Sequence, residues 1–256
     1  MKKIADAFSN GKAFIPFITC GDPNLETTEQ LIVKMAESGA DLIELGIPFS
    51  DPTAEGTVIQ QANIRALSAG TTTDKIFEMA ERVNKKVAVP LVFMTYANVV
   101  FSYGTERFIK KASEIGIAGL ILPDVPYEEK AEFESVCLKY NIELVSLIAP
   151  TSKDRIEMIA KDAKGFIYCV SSLGVTGVRS KFSTNIADVA ASIKAAAKVP
   201  CAIGFGISTP EQAKKMSKYA DGVIVGSAIV KIIAKYKEEA IEPVCDYVKD
   251  MKKAIM

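Results

Sequence analysis

The chain contains no histidine and no tryptophan. Without imidazole there is no Ser-His or Cys-His relay and no metal site of the usual His-ligated kind, because those sites are built on that ring. Proton transfer then falls to carboxylates, lysine, tyrosine or cysteine. An excess of either charge is missing as well: 31 Lys and Arg balance 31 Asp and Glu, and lysines stand in isolated pairs such as Lys85-Lys86 and Lys214-Lys215. No basic stripe is available to neutralise a phosphate backbone, so no nucleic-acid partner is expected. Long apolar runs are also absent. The longest uncharged stretch, Val87 to Thr105, is interrupted by Pro90, Asn98 and several hydroxyls, and reads as a buried strand with its following loop, not as a membrane span. Behind the two lysines of MKKIADAFSN there is no apolar run, so no secretory signal is expected. Cys20, Cys137, Cys169, Cys201 and Cys245 are odd in number, widely spaced and without a CxxC pair. That pattern suits reduced thiols in a cytoplasmic protein and asks for neither disulfide nor zinc.

What the chain does have is a repeated unit. Short apolar runs recur at 14–19, 41–45, 90–95, 119–122, 142–148, 165–170, 200–204 and 222–226. Most are nearly continuous rather than alternating, as parallel strands buried on both faces are. Amphipathic stretches at helical spacing separate them, for example Phe133, Val136, Cys137 and Tyr140 opposite Glu128, Glu129, Lys130 and Glu134. The joints repeat too: Glu37-Ser-Gly-Ala-Asp-Leu-Ile43, Glu114-Ile-Gly-Ile-Ala-Gly-Leu-Ile121 and Lys218-Tyr-Ala-Asp-Gly-Val-Ile224 each end a helix and enter a strand through small residues. Eight βα units use up the 256 residues. The α/β class that results is a single (β/α)8 TIM barrel over residues 1–256, with an extra N-terminal helix. A doubly wound sheet is the rival, but it needs fewer strands and a break in the pattern.

In a barrel of this kind the chemistry sits where strands end. Gly204-Phe-Gly206 after the seventh run and Gly226-Ser227 after the eighth stand where such barrels hold phosphate: glycines admit a ligand close to the backbone, and free N–H groups at a helix start attract an anion. Glu44 shares a strand face with Leu42, so its carboxyl adjoins an apolar interior that disfavours the charge and raises the pKa. A carboxyl so placed can give and take a proton near neutrality. The polar run Ser50-Asp-Pro-Thr-Ala-Glu-Gly56 is long for a simple turn, and Ser171-Ser-Leu-Gly-Val-Thr-Gly-Val-Arg-Ser180 has the makings of a lid. Without Glu44 beside it the first would read better as a solvated surface loop, and the second reads equally well as a flexible connection. No lysine ends a strand, which disfavours a Schiff-base aldolase, and Asp22, Asp51 and Asp124 show no metal-loop spacing. No metal is expected.

Glu44-Leu-Gly-Ile-Pro-Phe-Ser-Asp-Pro52 followed by Ile59-Gln60 closely resembles the tryptophan synthase alpha chain family. The likeness runs on through Pro16-Phe-Ile-Thr-Cys-Gly-Asp-Pro23, Tyr96-Ala-Asn98, Asp124-Val-Pro126, Ala149-Pro-Thr151, Gly174-Val-Thr-Gly177, Gly204-Phe-Gly206 and Gly226-Ser227, in the family's order. The resemblance implies a (β/α)8 barrel that cleaves indole-3-glycerol phosphate to indole and glyceraldehyde 3-phosphate. It implies Glu44, Glu55 and Tyr168 as catalytic groups, and Gly177, Gly206, Gly226 and Ser227 as phosphate ligands. By the same likeness Phe17, Ile59, Met94, Ile121 and Phe205 line an indole pocket. It further implies no cofactor in this chain and a pyridoxal-phosphate-bearing beta chain as partner in an α2β2 assembly, met through Asp51, Pro52, Asn98 and Pro126. One departure stands out: the family's second carboxylate is usually Asp, with Pro after the next glycine, whereas here the run is Ala54-Glu-Gly-Thr57. Two other readings share the phosphate loops. A different phosphosugar barrel enzyme would be expected to carry a histidine or a strand-end lysine, and a phospho-ligand-binding subunit with little turnover would be marked by its failure in a lyase assay.

Overall fold

The computed structural model describes residues 2–170, 186–204 and 206–256. Eight parallel strands close into a barrel in chain order, β1 (Ala13–Thr19), β2 (Ile43–Gly46), β3 (Leu91–Met94), β4 (Gly119–Ile121), β5 (Glu143–Ile148), β6 (Lys164–Val170), β7 (Cys201–Gly204) and β8 (Gly222–Val225). All eight lie within the apolar runs that the sequence marks out, give or take a residue. The runs look continuous because both faces of each strand are buried, in two different cores. Phe14 and Ile18 of β1, Ile43 and Leu45 of β2, and Leu91 and Phe93 of β3 pack outward under the helices. Ile15 and Phe17, Leu42 just ahead of β2, and Val92 and Met94 point into the barrel. The period of two thus sorts a uniformly apolar strand into an outer and an inner set.

The surrounding helices are α1 (Leu25–Glu37), α2 (Thr57–Ser68), α3 (Thr73–Asn84), α4 (Ala97–Tyr103), α5 (Thr105–Glu114), α6 (Ala131–Lys139), α7 (Lys153–Asp162), α8 (Ile186–Ala196), α9 (Pro210–Ser217), α10 (Ser227–Tyr236) and α11 (Ile241–Ile255). Three units carry two helices each, those after β2, β3 and β8. One of these corrects the sequence reading. The stretch after β3 is a helix, α4, and not the loop expected within Val87 to Thr105; both oxygens of Asp124 accept the Ala97 N–H at 3.1 Å, supplying from a distant loop the cap that the local sequence lacks. The extra N-terminal helix is a single 3-10 turn, Ile4–Phe8. Its fully buried Ile4 closes the floor of the barrel, where a Cβ on Gly119 or Gly165 would come within 2.7 and 3.0 Å of Ile4 Cδ1. Two strand glycines therefore make room for one plug residue.

The repeated Ala-Asp joints have a common function. Asp41 accepts the Phe14 N–H at 2.7 Å and Asp221 accepts the Cys201 N–H at 3.0 Å, so each carboxylate satisfies the start of a neighbouring strand. All five cysteines are buried and free. Among the described residues no helix is long and apolar enough to cross a membrane.

The loop after β1 is fixed to α2 by Arg65, whose guanidinium grips Asp22 with two hydrogen bonds of 2.8 and 2.7 Å. Asp22 is 1% exposed, so its charge depends on that partner. Arg65→Ala is expected to destabilise the chain by about 3 kcal/mol, the typical lower cost of leaving a buried charge unpaired. The midpoint of urea unfolding measures it; a change below about 1 kcal/mol would place the pair in the solvent-screened class instead.

Candidate active site

Glu44 occupies an inner position of β2, beside Phe17 on β1 and Val92 on β3. It is completely buried, and neither carboxylate oxygen has a hydrogen-bond partner. Burial alone drives its pKa well above the usual carboxylate range. Ionising an unpaired buried carboxyl costs several kcal/mol, more than leaving the neutral acid's hydrogen bonds unmade, so burial favours the protonated form. The Tyr168 phenol on β6 is also buried, and its pKa is raised by burial and then by the nearby Glu44 charge.

The walls are apolar. Phe17, Ile59, Met94, Ile121 and Tyr168 belong to one interior cluster, each no more than 7% exposed. Three mouth glycines let the two aromatics take their places. A Cβ on Gly46 would lie 2.6 Å from Phe17 Cζ, and one on Gly204 would lie 2.5 Å from Tyr168 Cε1. One on Gly226 would sit 3.2 Å from Phe17 Cδ1. Ala at either of the first two positions would displace a ring.

Glu55 comes from the connection between β2 and α2. The middle of that connection is solvated, with Ser50, Asp51 and Thr53 exposed, but its end turns inward and Glu55 is 7% exposed. Three contacts hold it. Tyr96 Oη accepts the Ala54 N–H at 3.1 Å, Gln60 Nε2 donates to the Glu55 carbonyl at 2.8 Å, and Asn63 Nδ2 donates to Glu55 Oε2 at 2.8 Å. The Tyr96 ring in turn lies 5.3 Å from that of Phe49. Burial pushes the Glu55 carboxyl up to about 7, against a smaller opposing effect of the Asn63 hydrogen bond. The barrel thus presents one carboxyl whose charged form is strongly disfavoured by burial and another poised near neutrality.

Across the mouth, Gly226 precedes α10, whose first residue is Ser227, so the unbonded N–H groups of the first turn open toward the strand ends. Gly206 has φ +79°, a left-handed conformation that favours glycine. Asp51, Asn98 and Pro126 are exposed and Pro52 is half-buried; Asp51 and Pro52 lie on the loop after β2, Asn98 in the first turn of α4 after β3, and Pro126 on the loop after β4. Gly177, Phe205 and the Ser171 to Ser180 segment lie outside the described residues. Asp22 and Asp124 are engaged by Arg65 and by the Ala97 N–H. Asn63 was not singled out by the sequence, although a signal existed: it is the one amide in the buried stripe of α2 formed with Ile59, Ala62 and Ala66.

A closed (β/α)8 barrel that encloses carboxyls with raised pKa near its strand ends has the construction of a barrel enzyme. The family model for the tryptophan synthase alpha chain matches residues 4–256, and the chain belongs to that family. It is 50% identical over 255 residues to the tryptophan synthase alpha chain of Lacticaseibacillus casei, covering 100% of this chain and 96% of that relative. With the tryptophan synthase alpha chain of Lactiplantibacillus plantarum the identity is 47% over 256 residues, covering 100% and 97%. Among solved structures, tryptophan synthase subunit alpha from Legionella pneumophila superposes with a TM-score of 0.88 at 34% identity, over 100% of this chain and 98% of that one. A chain of the tryptophan synthase complex from Pyrococcus furiosus gives 0.87 at 33% identity, over 94% and 98%.

The raised Glu55 pKa has a consequence for stability. The folded chain holds this proton more tightly than the unfolded chain, whose value is near 4.5. The stabilisation it brings is complete below that value and is lost as pH rises through about 7. At 1.36 kcal/mol per pH unit, wild type should lose roughly 3 kcal/mol relative to Glu55→Gln between about pH 4 and about pH 8. Denaturant unfolding of both proteins across that range measures the difference; parallel curves would show that Glu55 titrates like a solvated side chain.

Proposed function

We propose that this chain cleaves indole-3-glycerol phosphate to indole and glyceraldehyde 3-phosphate, as the alpha subunit of tryptophan synthase. The observation that carries the reading is Glu44, a fully buried carboxyl with both oxygens unpartnered, set among flat apolar walls. Such a group is costly to keep unless a substrate completes it.

The bond to be broken joins indole C3 to the first glyceryl carbon. Protonated Glu44 gives its proton to C3, which leaves positive charge at the ring nitrogen. The resulting Glu44 carboxylate takes the proton of the hydroxyl on the first glyceryl carbon. That oxygen's electrons form the aldehyde, the carbon–carbon bond breaks, and its electrons return to the ring as indole. Glu44 thus ends protonated, as it began. Glu55 accepts the indole N–H and stabilises the transient positive charge in its ionised form, which its value of about 7 makes accessible. Tyr168 borders the reacting carbon. Phe17, Ile59, Met94, Ile121 and Phe205 hold the ring, while Gly177, Gly206, Gly226 and Ser227 take the phosphate, whose binding energy keeps the reacting carbon in register.

Glu44→Gln keeps the shape and removes the titrating proton. Its turnover is expected to fall at least about 100-fold, the usual contribution of a positioned acid/base group, with phosphate binding and melting behaviour retained. Turnover above about a tenth of wild type would remove Glu44 from the mechanism.

Indole is small and apolar enough to escape from an open site, so a partner seated on the strand-end face would capture it. The proposed partner is a beta chain that carries pyridoxal phosphate and joins indole to serine, in a cytoplasmic α2β2 assembly. Asp51, Pro52, Asn98 and Pro126 would form the contact, and the two prolines lower the ordering cost of docking. The tryptophan synthase complex of Pyrococcus furiosus contains a chain of this fold. Titration of the purified chain with its beta chain should show association at micromolar concentration together with faster indole release. Association without a change in cleavage rate, or none at all, would favour an independent lyase.

A further inference from the structure

Among the described residues, three buried side-chain oxygens have no hydrogen-bond partner: both carboxylate oxygens of Glu44, and the hydroxyl of Thr19. Native chains seldom bury a hydroxyl without a partner unless something else supplies one. The two residues lie on neighbouring strands, one diagonal step apart in register. On the paired strands β1 and β2, Phe17 stands opposite Glu44 and Thr19 opposite Gly46. The inward alternation of Ala13, Ile15 and Phe17 continues to Thr19, the last residue of β1 and 1% exposed. Thr19 therefore takes the next barrel-facing position beyond Phe17, nearer the mouth than Glu44. Its opposite residue, Gly46, has no side chain to satisfy the hydroxyl.

The order of strands around the rim adds the second argument. β1 lies between β2, which carries Glu44, and β8, which leads through Gly226 to the start of α10. A substrate with its reacting carbon at Glu44 and its phosphate at the start of α10 has to pass its connecting chain across the end of β1.

The geometry points to Thr19 as a further substrate-binding residue, whose hydroxyl hydrogen-bonds the middle hydroxyl of the glyceryl chain, on the carbon between the reacting carbon and the phosphate-bearing carbon. This rests on the reading of the site as one that cleaves indole-3-glycerol phosphate. Thr19 transfers no proton; it fixes the chain so that the hydroxyl on the reacting carbon faces Glu44.

The experiment compares wild type, Thr19→Val and Thr19→Ser with indole-3-glycerol phosphate and with its analogue lacking the middle hydroxyl. Thr19→Val keeps the shape, so its kcat/KM for the natural substrate should drop about tenfold, the loss of one hydrogen bond at a reacting geometry, while Thr19→Ser stays within about threefold. The analogue should cost wild type a similar factor and cost Thr19→Val almost nothing, because the same bond is already gone. Thr19→Val should also melt no lower than wild type, since it replaces an unpartnered buried hydroxyl by a methyl group. Wild-type kcat/KM in Thr19→Val, or losses from variant and analogue that multiply, would overturn the assignment. If Thr19→Val fails to fold, Thr19→Ala against Thr19→Ser decides: equal activities overturn the proposal, and retention by Ser alone supports it. A wild-type chain that cleaves no indole-3-glycerol phosphate, alone or with its beta chain, would overturn the underlying reading too, whereas active wild type with equally active Thr19→Val removes only Thr19.

Discussion

A carboxyl group held in a barrel interior with nothing to bind it is the constraint on which the site depends. Glu44 has apolar neighbours on both flanking strands and no hydrogen bond. Isolated burial of this kind works against folding, and the surrounding structure has to offset it. It does so with two apolar layers, an outer one beneath the helices and an inner one filling the barrel. The inner layer also favours the protonated state, since no lysine or arginine is buried among the described residues. The same packing that pins the side chain therefore raises its pKa.

The second carboxyl is governed differently. Glu55 sits at the end of a loop whose middle is solvated, and it is brought inward by Tyr96, Gln60 and Asn63. Its burial is less complete and one amide bonds it, so its pKa is raised to about 7, whereas burial alone raises that of Glu44. Two carboxyls of one chemical type acquire different properties from their surroundings, which is how a chain without histidine can obtain both an acid and a nearby anion.

The sequence made the barrel legible because each strand is buried on both sides and the joints repeat; that the Ala-Asp joints place a carboxylate at the start of a neighbouring strand shows only in the fold. Glu44 was legible for a related reason, as a lone charge in an apolar strand whose alternation fixes its face. What stayed hidden depends on contacts distant in sequence. Helix α4 is capped by Asp124, 27 positions away, so no local signal marked its start. Thr19 looked like any strand-end threonine, and its meaning comes from having no partner once β1, β2 and β8 are closed into a ring. The interior position of Glu55 likewise needed α2 folded against the loop.

The longer side chain at position 55 becomes understandable in these terms. A glutamate where the family usually has aspartate moves the carboxylate out by one methylene, and such a change in a rigid site misplaces a charge by more than a hydrogen bond tolerates. Here the carboxylate is tied to Asn63, while the backbone carbonyl of the same residue is tied to Gln60 one turn earlier on α2. Both ends of the residue are thus referred to one helix, and α2 itself is fixed to the loop after β1 by the Arg65–Asp22 pair. The loop can then absorb the extra methylene through its exposed middle, Ser50 to Thr53, without releasing the carboxylate from its anchor.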